Sequence, residues 1–378
     1  MTHGTTAVTY PLTITGAVLR ESGTAAPYAE SRPLRIEQMT LDAPGPHEVL
    51  IEIEAAGLCH SDLSVINGSR PRPLPMLLGH EAAGIVHDVG SDVTDLHQGQ
   101  RVVMVFLPRC GECAGCATDG RRPCERGSAA NGAGTLMDGG LRLHAPGDQV
   151  RHHLGVSGFA TYAVVDRRSV VAVDDDVPAD VAAILGCAML TGGGAVLNVR
   201  RPSPDESVAV VGLGGVGMAA LITAKAIGVE RLVAIDHLPE KLTRATELGA
   251  THTYTPGEAA DQGITTDLVI EAAGHARAFE TAVAVTGAGG TMVTVGLPAP
   301  GATSSIEPLA ITAAAKSIVG SYLGSAVPER DIPLFVDLWR TGRLDVKALV
   351  SSYITLEDVN EAMDSLDAGH AIRQVITF

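Results

Sequence analysis

The sequence predicts an α/β fold in which a β-rich part precedes a doubly wound parallel sheet. Up to about residue 109, short apolar segments at 34–39, 47–55 and 84–89 are separated by Gly, Pro and Asp turn signals. After about residue 191, apolar runs alternate with Ala-rich helical stretches. Such βαβ order is typical of a parallel sheet. The apolar runs lie at 208–211, 232–235, 268–270 and 292–295.

Two further segments complete this outline. Between residues 109 and 158 the apolar periodicity disappears and Gly, Arg and Cys dominate, so we expect a long loop that is held by something other than a core. The tail predicts helices around 334–340 and 356–366 and a closing strand at 373–378 that returns to the first part of the chain.

Composition narrows the class of protein. The 378 residues are 46% hydrophobic and 3% aromatic, as in an Ala/Gly-rich α/β enzyme, and the net charge of −16 opposes binding to nucleic acid or to anionic membranes. Residues 1–20 lack a secretory pattern and no apolar run reaches 18 residues. We therefore expect a cytoplasmic protein with neither a nucleic-acid nor a membrane partner.

A strand that ends in a glycine-rich turn predicts a dinucleotide site. Gly212, Gly214 and Gly217 form G-x-G-x-x-G between a predicted strand and a helix at 218–227. The glycines permit a tight turn, close approach of a pyrophosphate and close packing of the helix. Asp236 ends the next strand, where a carboxylate would bind a ribose and repel a 2′-phosphate, so NAD is favoured over NADP. Lys241 is either a second ribose contact or a solvated charge.

Clustered cysteines predict metal binding. Cys110, Cys113, Cys116 and Cys124 lie in one glycine-rich loop and can close a tetrahedral zinc shell, which is typical of a structural site. Unpaired thiols or disulfides are the alternatives.

The remaining cysteines, Cys59 and Cys187, lie far apart, with His80 between them. Together these three would leave a fourth zinc position free, as in catalytic sites, although each alone could be a core residue.

Four ordered motifs make the chain similar to the zinc-containing medium-chain alcohol dehydrogenases from about Leu50 onward. The motifs are 57–62, 79–84, the four-cysteine loop and 212–217. The resemblance implies a GroES-like catalytic domain at 1–189 with a structural-zinc loop at 109–125. It also implies a Rossmann NAD-binding domain at 190–324 and a C-terminal segment, 325–378, that completes the catalytic domain.

The resemblance also implies roles for single residues and two zinc ions per chain. Cys59, His80 and Cys187 would bind a catalytic zinc, with Glu81 behind the metal and Asp62 orienting the histidine. Carboxylates beside metal ligands fix the imidazole tautomer and tune the metal.

Other positions match cofactor contacts or the proton path. Ser61 would accept the substrate proton, and Ser64 stands where relatives often have a relay histidine, so the outer relay would use the Ser64 hydroxyl, a cofactor ribose hydroxyl, water or another base. The cofactor contacts implied are His60 and Arg373 at the pyrophosphate, Thr191, Val216 and Val295 at the nicotinamide, and Gly215 within the glycine turn.

For the reaction, we expect NAD-dependent interconversion of primary alcohols and aldehydes. Phe106 resembles a substrate-channel position and favours hydrophobic or aromatic substrates, unless it is core. The long segment 125–154 resembles that of dimeric relatives and predicts a homodimer. A formaldehyde dehydrogenase that uses a thiol adduct is the alternative, but Ser128 and Arg70 depart from the glutathione-dependent pattern.

Two other classes are disfavoured. A zinc-knuckle nucleic-acid module would need basic and aromatic residues beside its cysteines, which the acidic, aromatic-poor chain does not offer. A zinc-free quinone reductase of the same superfamily would lack the Cys59, His80 and Cys187 set.

Overall fold

A computed structural model describes residues 8–378 and contains three β-sheets. The first is a closed barrel in the order β1-β2-β7-β8-β4, and the second has the order β10-β6-β5-β3-β18-β17 with β9 also paired to β3. The strands of these two sheets are β1 Leu12–Leu19, β2 Leu34–Leu41, β3 Glu48–Gly57, β4 Met76–Leu77, β5 Ala82–Val89, β6 Arg101–Met104, β7 Leu143–Ala145, β8 Asp148–His152, β9 Tyr162–Asp166, β10 Val170–Ala172, β17 Val350–Ile354 and β18 Arg373–Thr377.

The third sheet has six parallel strands in the order β13-β12-β11-β14-β15-β16. All five residues of its central strand β11 are buried, as expected for a parallel sheet with helices on both faces. Its strands are β11 Ser207–Val211, β12 Arg231–Ile235, β13 His252–Tyr254, β14 Thr266–Glu271, β15 Thr286–Thr294 and β16 Ser317–Gly320.

The helices connect these sheets and carry several of the predicted site residues. After α4 the helical path continues with wider i→i+5 turns through Leu185–Gly193 and Ala195–Val199, a geometry that often accompanies functional sites. The α-helices are α1 Tyr28–Ser31, α2 His60–Ile66, α3 Glu125–Ala133, α4 Ala179–Ile184, α5 Gly215–Ala226, α6 Pro239–Leu248, α7 Pro256–Asp261, α8 Ala276–Val285, α9 Pro308–Ala313, α10 Pro328–Arg340 and α11 Val359–Asp367.

The predicted fold class is confirmed: a β-rich part and a parallel α/β sheet are both present. The closing strand β18 pairs antiparallel with β3, so the end of the chain joins the second sheet. Strand β3 ends at Gly57, two residues before Cys59. The pairing of β18 with β3 therefore places Arg373 next to the segment of this predicted metal ligand.

The prediction of a long loop region at 109–158 is wrong in part. Helix α3 and the hairpin β7–β8 lie within it. Helix α3 was missed because its small and polar residues show no apolar stripe. Its N-cap is Cys124, whose Sγ accepts a hydrogen bond from Gly127 N–H at 3.3 Å.

Two predictions concern the membrane and the N-terminus. No helix within residues 8–378 is long and apolar enough to cross a membrane. Residues 1–7, part of the N-terminal stretch predicted to lack a secretory pattern, lie outside the described residues.

Candidate active site

Cys59, His80 and Cys187 meet in a buried cluster. Cys59 is the N-cap of α2, His80 follows β4, and Cys187 lies in the wide-turn segment after α4. Their ligand atoms all lie within 4.8 Å of one another, and His80 Nε2 is 3.5 Å from Cys187 Sγ. Two sulfurs and one imidazole nitrogen in a buried site are a donor set that suits zinc.

Asp62 fixes the orientation of His80. Its Oδ1 lies 3.0 Å from His80 Nδ1 and accepts from Gly79 N–H at 3.2 Å, while Oδ2 accepts from Cys59 N–H at 3.1 Å. An ionised carboxylate only accepts hydrogen bonds, so Nδ1 carries the proton. The lone pair of Nε2 is then directed at the two thiols, as metal binding requires.

The two thiols of the cluster are not equivalent. The hydrogen bond from Cys187 lowers the pKa of Cys59 well below its ordinary range, and the same bond raises the pKa of Cys187. A thiolate is the form of cysteine that binds metals, and binding would release the remaining proton. The cluster therefore favours a cation over an empty apolar contact.

A buried ion pair lies behind this cluster. Arg373 Nε is 3.3 Å from Glu81 Oε1, and Arg373 also donates to the carbonyl of Leu58. Glu81 fits only because residue 57 is glycine, since a Cβ there would lie 2.3 Å from Glu81 Oε1. Burial raises the pKa of Glu81 to about 7, and both of its oxygens lack a hydrogen-bond donor. Such an unsatisfied buried carboxylate fits a position beside a cation.

The four loop cysteines form a second cluster. The Cys110 and Cys116 sulfurs are 3.9 Å apart, and those of Cys113 and Cys124 are 4.0 Å apart. Both distances are far longer than a disulfide bond, which is about 2.05 Å. Tetrahedral zinc with Zn–S bonds of about 2.3 Å needs sulfurs about 3.8 Å apart. Backbone N–H donors from Cys116 and Glu125 lower the pKa of Cys113 to about 6. The loop therefore fits a closed zinc shell.

The glycine turn after β11 leaves room for an anion. Gly212 has φ 91°, and a Cβ at Gly217 would lie 1.8 Å from Gly212 O, so helix α5 packs directly on the turn. At Gly214, by contrast, a Cβ would meet nothing within 4 Å. The open backbone at the N-terminus of α5 is the kind of site that receives a pyrophosphate.

One cavity of ≈970 Å³ connects the Cys59 cluster to the glycine turn. Asp236 lines it at the end of β12, where its carboxylate accepts hydrogen bonds from the N–H groups of Leu213 at 2.7 Å and Leu238 at 3.1 Å. The space is large enough for a cofactor and a small second molecule.

Comparison with known proteins agrees with this arrangement. The family described as "Alcohol dehydrogenase GroES-like domain" matches residues 45–175, and "Zinc-binding dehydrogenase" matches residues 215–340. "Putative alcohol dehydrogenase D" of Mycobacterium tuberculosis is 34% identical over 372 residues, which are 96% of this chain and 99% of that protein. The chain belongs to the zinc-type medium-chain dehydrogenase/reductase family.

Solved structures extend the similarity to the whole fold. Benzyl alcohol dehydrogenase from Acinetobacter calcoaceticus has a TM-score of 0.88 at 29% identity, covering 97% of this chain and 99% of that chain. Acetophenone reductase from Geotrichum candidum, solved with NAD, has a TM-score of 0.78 at 25% identity, covering 98% and 99%. The zinc-type dehydrogenase described here is thus an alcohol dehydrogenase-type oxidoreductase with zinc and a nicotinamide cofactor.

Many of the predicted site residues of this dehydrogenase line this cavity. Asp62 and Glu81 do not, because they lie behind the Cys59–His80–Cys187 cluster, and neither does Gly217, which lies within α5 and packs against Gly212. The four loop cysteines form their own cluster and do not line it. The predicted residues that line it besides the cluster and Asp236 are His60, Ser61, Ser64, Phe106, Thr191, Gly212, Gly214, Gly215, Val216, Lys241, Val295 and Arg373.

Sequence reasoning missed three residues of this cavity. His153 Nδ1 lies 3.1 Å from Asp62 Oδ1, so Asp62 contacts two imidazoles. Tyr322 packs edge-on against Phe106 with ring centroids 6.0 Å apart, and Arg72 lines the cavity nearby. None belongs to a local motif, and only the three-dimensional fold brings them to the site.

Proposed function

We propose that the protein interconverts primary alcohols and aldehydes by hydride transfer with NAD(H), with zinc held by Cys59, His80 and Cys187. The observation that carries this proposal is that the three buried ligand atoms open onto the same cavity as the glycine turn. A zinc ion at such a site supplies a Lewis acid that lowers the pKa of an alcohol hydroxyl.

The chain's own groups would handle the proton. Ser61 lines the cavity two residues after Cys59, so its Oγ is the nearest hydroxyl in sequence to accept a proton from a substrate alcohol. Ser64 Oγ donates its hydrogen to the carbonyl of His60 at 2.7 Å, so it can accept a further hydrogen bond from the cavity side. We propose that Ser61 Oγ takes the substrate proton as its own hydrogen passes to Ser64 Oγ, and that the Ser64 hydrogen then turns from the His60 carbonyl to water in the cavity.

The preference for NAD rests on Asp236. Two backbone N–H groups hold its carboxylate at the end of β12, and the side chain is buried next to the cavity. A fixed negative charge there accepts ribose hydroxyls and repels a 2′-phosphate. Lys241 on the following helix lines the same cavity and would be a second ribose contact.

The substrate half of the cavity supports an aromatic alcohol. Phe106 packs edge-on against His80 with ring centroids 5.6 Å apart and against Tyr322 on its other side. Leu154 adds an aliphatic wall. Flat apolar walls next to a metal-ligand histidine suit a benzyl-type substrate, in line with the benzyl alcohol dehydrogenase similarity.

Two further parts of the proposal concern stoichiometry and assembly. The four loop cysteines would hold a second zinc. A homodimer would form along β16, the edge strand of the parallel sheet, where Ile318 is 36% exposed and Leu309 on α9 is 68% exposed. Unpaired edge strands with exposed apolar residues readily pair with a second copy.

Elemental analysis and a cofactor assay test the proposal together. We expect two zinc ions per chain and a rise in absorbance at 340 nm with benzyl alcohol and NAD, and a much smaller rise with NADP. Cys187→Ser should leave one zinc per chain and abolish turnover. Cys113→Ser should mainly lower the free energy of unfolding. Turnover of an S-hydroxymethyl thiol adduct but not of benzyl alcohol would overturn the proposed substrate class.

A further inference from the structure

Two arginines, Arg70 and Arg72, line the substrate half of the cavity. A row of ring contacts begins at the Cys59–His80–Cys187 cluster: His80 packs on Phe106, and Phe106 packs on Tyr322. Both guanidinium groups are near enough to Tyr322 to lower its pKa, although burial raises it more. The row therefore leads from the reacting end of the cavity to a positively charged end.

Arg72 is held in place by the protein interior. Its Nη1 donates to the carbonyl of Asn131 at 3.1 Å, and the buried Asn131 amide donates to the carbonyl of Phe106 at 2.7 Å. Its Nε is buried without a hydrogen-bond acceptor. Nε itself is shielded, but the side chain lines the cavity, and because the guanidinium is already fixed it can bind an acceptor there at little further entropic cost.

Arg70 adds a second charge at the same place. Its Nη2 donates to the carbonyl of Leu297 at 3.3 Å, which holds the side chain across the cavity. Burial lowers the pKa of Arg72, and the neighbouring Arg70 charge lowers it further. Arginine nevertheless stays protonated in proteins, so the two charges repel each other and are costly without an anion.

No carboxylate within residues 8–378 lies within 4.0 Å of either arginine. Among the described residues, other arginines also lack a carboxylate partner, and Arg277 of the same cavity is one of them. Arg70 and Arg72 differ because the two charges act on each other and on the same Tyr322. Two uncompensated charges in one part of the cavity favour an anionic ligand there.

We propose that the substrate is an alcohol or aldehyde that carries a carboxylate at the end remote from the reacting carbon, and that Arg72 and Arg70 bind this carboxylate. The inference rests on the proposed function and specifies its substrate class. The planar fork of a guanidinium matches the two oxygens of a carboxylate, and such charge-assisted bonds are the strong ones. The aromatic side chains between the two ends would hold the body of the substrate.

A matched substrate pair tests the proposal. We would compare 4-(hydroxymethyl)benzoate with its neutral amide, 4-(hydroxymethyl)benzamide, as kcat/KM with NAD. The acid should be preferred by about tenfold or more, since each charged hydrogen bond contributes roughly that factor. In Arg72→Gln and Arg70→Gln the ratio of the two kcat/KM values should fall by about tenfold, mostly through KM. Arg201→Gln removes an exposed charge that does not line the cavity and is the control.

The other outcomes separate the two proposals. Equal kcat/KM for acid and amide in the parent enzyme, or an unchanged ratio in both variants, overturns the carboxylate site and leaves the alcohol dehydrogenase intact. A rise only in the KM for NAD makes the arginines cofactor contacts and also overturns it. If neither alcohol is oxidised, the proposed function fails, and calorimetric binding of 4-(hydroxymethyl)benzoate, lost in Arg72→Gln but kept in Arg201→Gln, still decides the anion site. Thermal melting checks that each variant folds.

Discussion

Arg373 Nε lies 3.3 Å from Glu81 Oε1, and both side chains are almost completely buried. The contact joins β18 to the segment that carries the metal ligand His80. On its other side the Arg373 guanidinium packs against Gly215, where a Cβ would lie 2.4 Å from Nη2. One arginine therefore connects the metal cluster to the dinucleotide turn.

Removing Arg373 should destabilise the protein more than removing the whole pair. Arg373→Met leaves a buried carboxylate without its counter-charge, which costs about 3–5 kcal/mol of the free energy of unfolding. The double variant Glu81→Met with Arg373→Met should recover part of that loss because no lone charge remains. Urea unfolding of the zinc-loaded proteins measures both. If the double variant is less stable than Arg373→Met by as much as an independent substitution of Glu81 would cost, the two side chains are not coupled.

Asp62→Asn should weaken the metal site while leaving the fold in place. The amide oxygen keeps an acceptor for His80 and Gly79, but the N–H₂ then faces the N–H donor of Cys59. Replacing such a group typically costs about 10- to 100-fold in metal affinity or activity. We expect zinc content after dialysis against a competing chelator to fall by one ion per chain. Asp88→Asn, which changes a carboxylate that accepts from Tyr10 at 2.8 Å, should retain its zinc.

Alanine substitutions at three glycines should separate folding from cofactor binding. Gly217→Ala would place a methyl group 1.8 Å from Gly212 O and should prevent α5 from docking, giving little folded protein. Gly214→Ala meets no protein atom, so it should fold normally yet raise the Kd for NAD by on the order of tenfold by filling the anion space. Gly257→Ala, also without close neighbours, should bind NAD normally. Fluorescence titration and circular dichroism measure the two properties; normal NAD binding in Gly214→Ala would place the pyrophosphate elsewhere.

His152 should make stability depend on pH in acid. Burial, with Arg142 nearby, lowers its pKa to about 3, and its Nε2 accepts from Arg142 N–H at 3.1 Å. Between about pH 6.5 and pH 3 the unfolded chain binds a proton at this residue and the folded chain does not, so stability falls as pH falls through that window. Each pH unit costs about 1.4 kcal/mol from this group.

The variant His152→Gln keeps an acceptor for Arg142 N–H and removes the titration. Its free energy of unfolding should therefore decline less steeply than that of the parent from pH 6 to pH 4, as measured by urea unfolding at each pH. His97→Gln changes an exposed histidine and should follow the parent. Parallel curves for His152→Gln and the parent would contradict the buried neutral state of His152.

Local patterns explain why much of the fold was predictable. The strand at Ser207–Val211, the glycines after it and the following helix are neighbours in sequence, so their periodicity and spacing carry the whole βαβ signal. The four loop cysteines lie within fifteen residues and carry their own signal in the same way. The Cys59, His80 and Cys187 set could be assembled only through family resemblance, because 107 positions separate His80 from Cys187.

Contacts across the fold were not predictable. Helix α3 has no apolar stripe, yet its Asn131 positions Phe106 and Arg72 through backbone carbonyls, a relationship that no residue pattern records. His153 likewise reaches Asp62 only because β8, which it follows, pairs with β4 just before the segment that carries His80. The contacts of such residues depend on how the elements pack in three dimensions, and the neighbouring sequence carries no sign of them.

The pairing of β18 with β3 also has a consequence for the order of events during protein synthesis. Arg373 donates to Leu58 across 315 positions of the chain, so β3 and Glu81 leave the ribosome long before their partner exists. The parallel sheet lies between them in sequence and can form without β18. The nascent chain therefore contains Glu81 without Arg373 until translation is nearly finished, so the Glu81–Arg373 contact can form only after β18 has been synthesised.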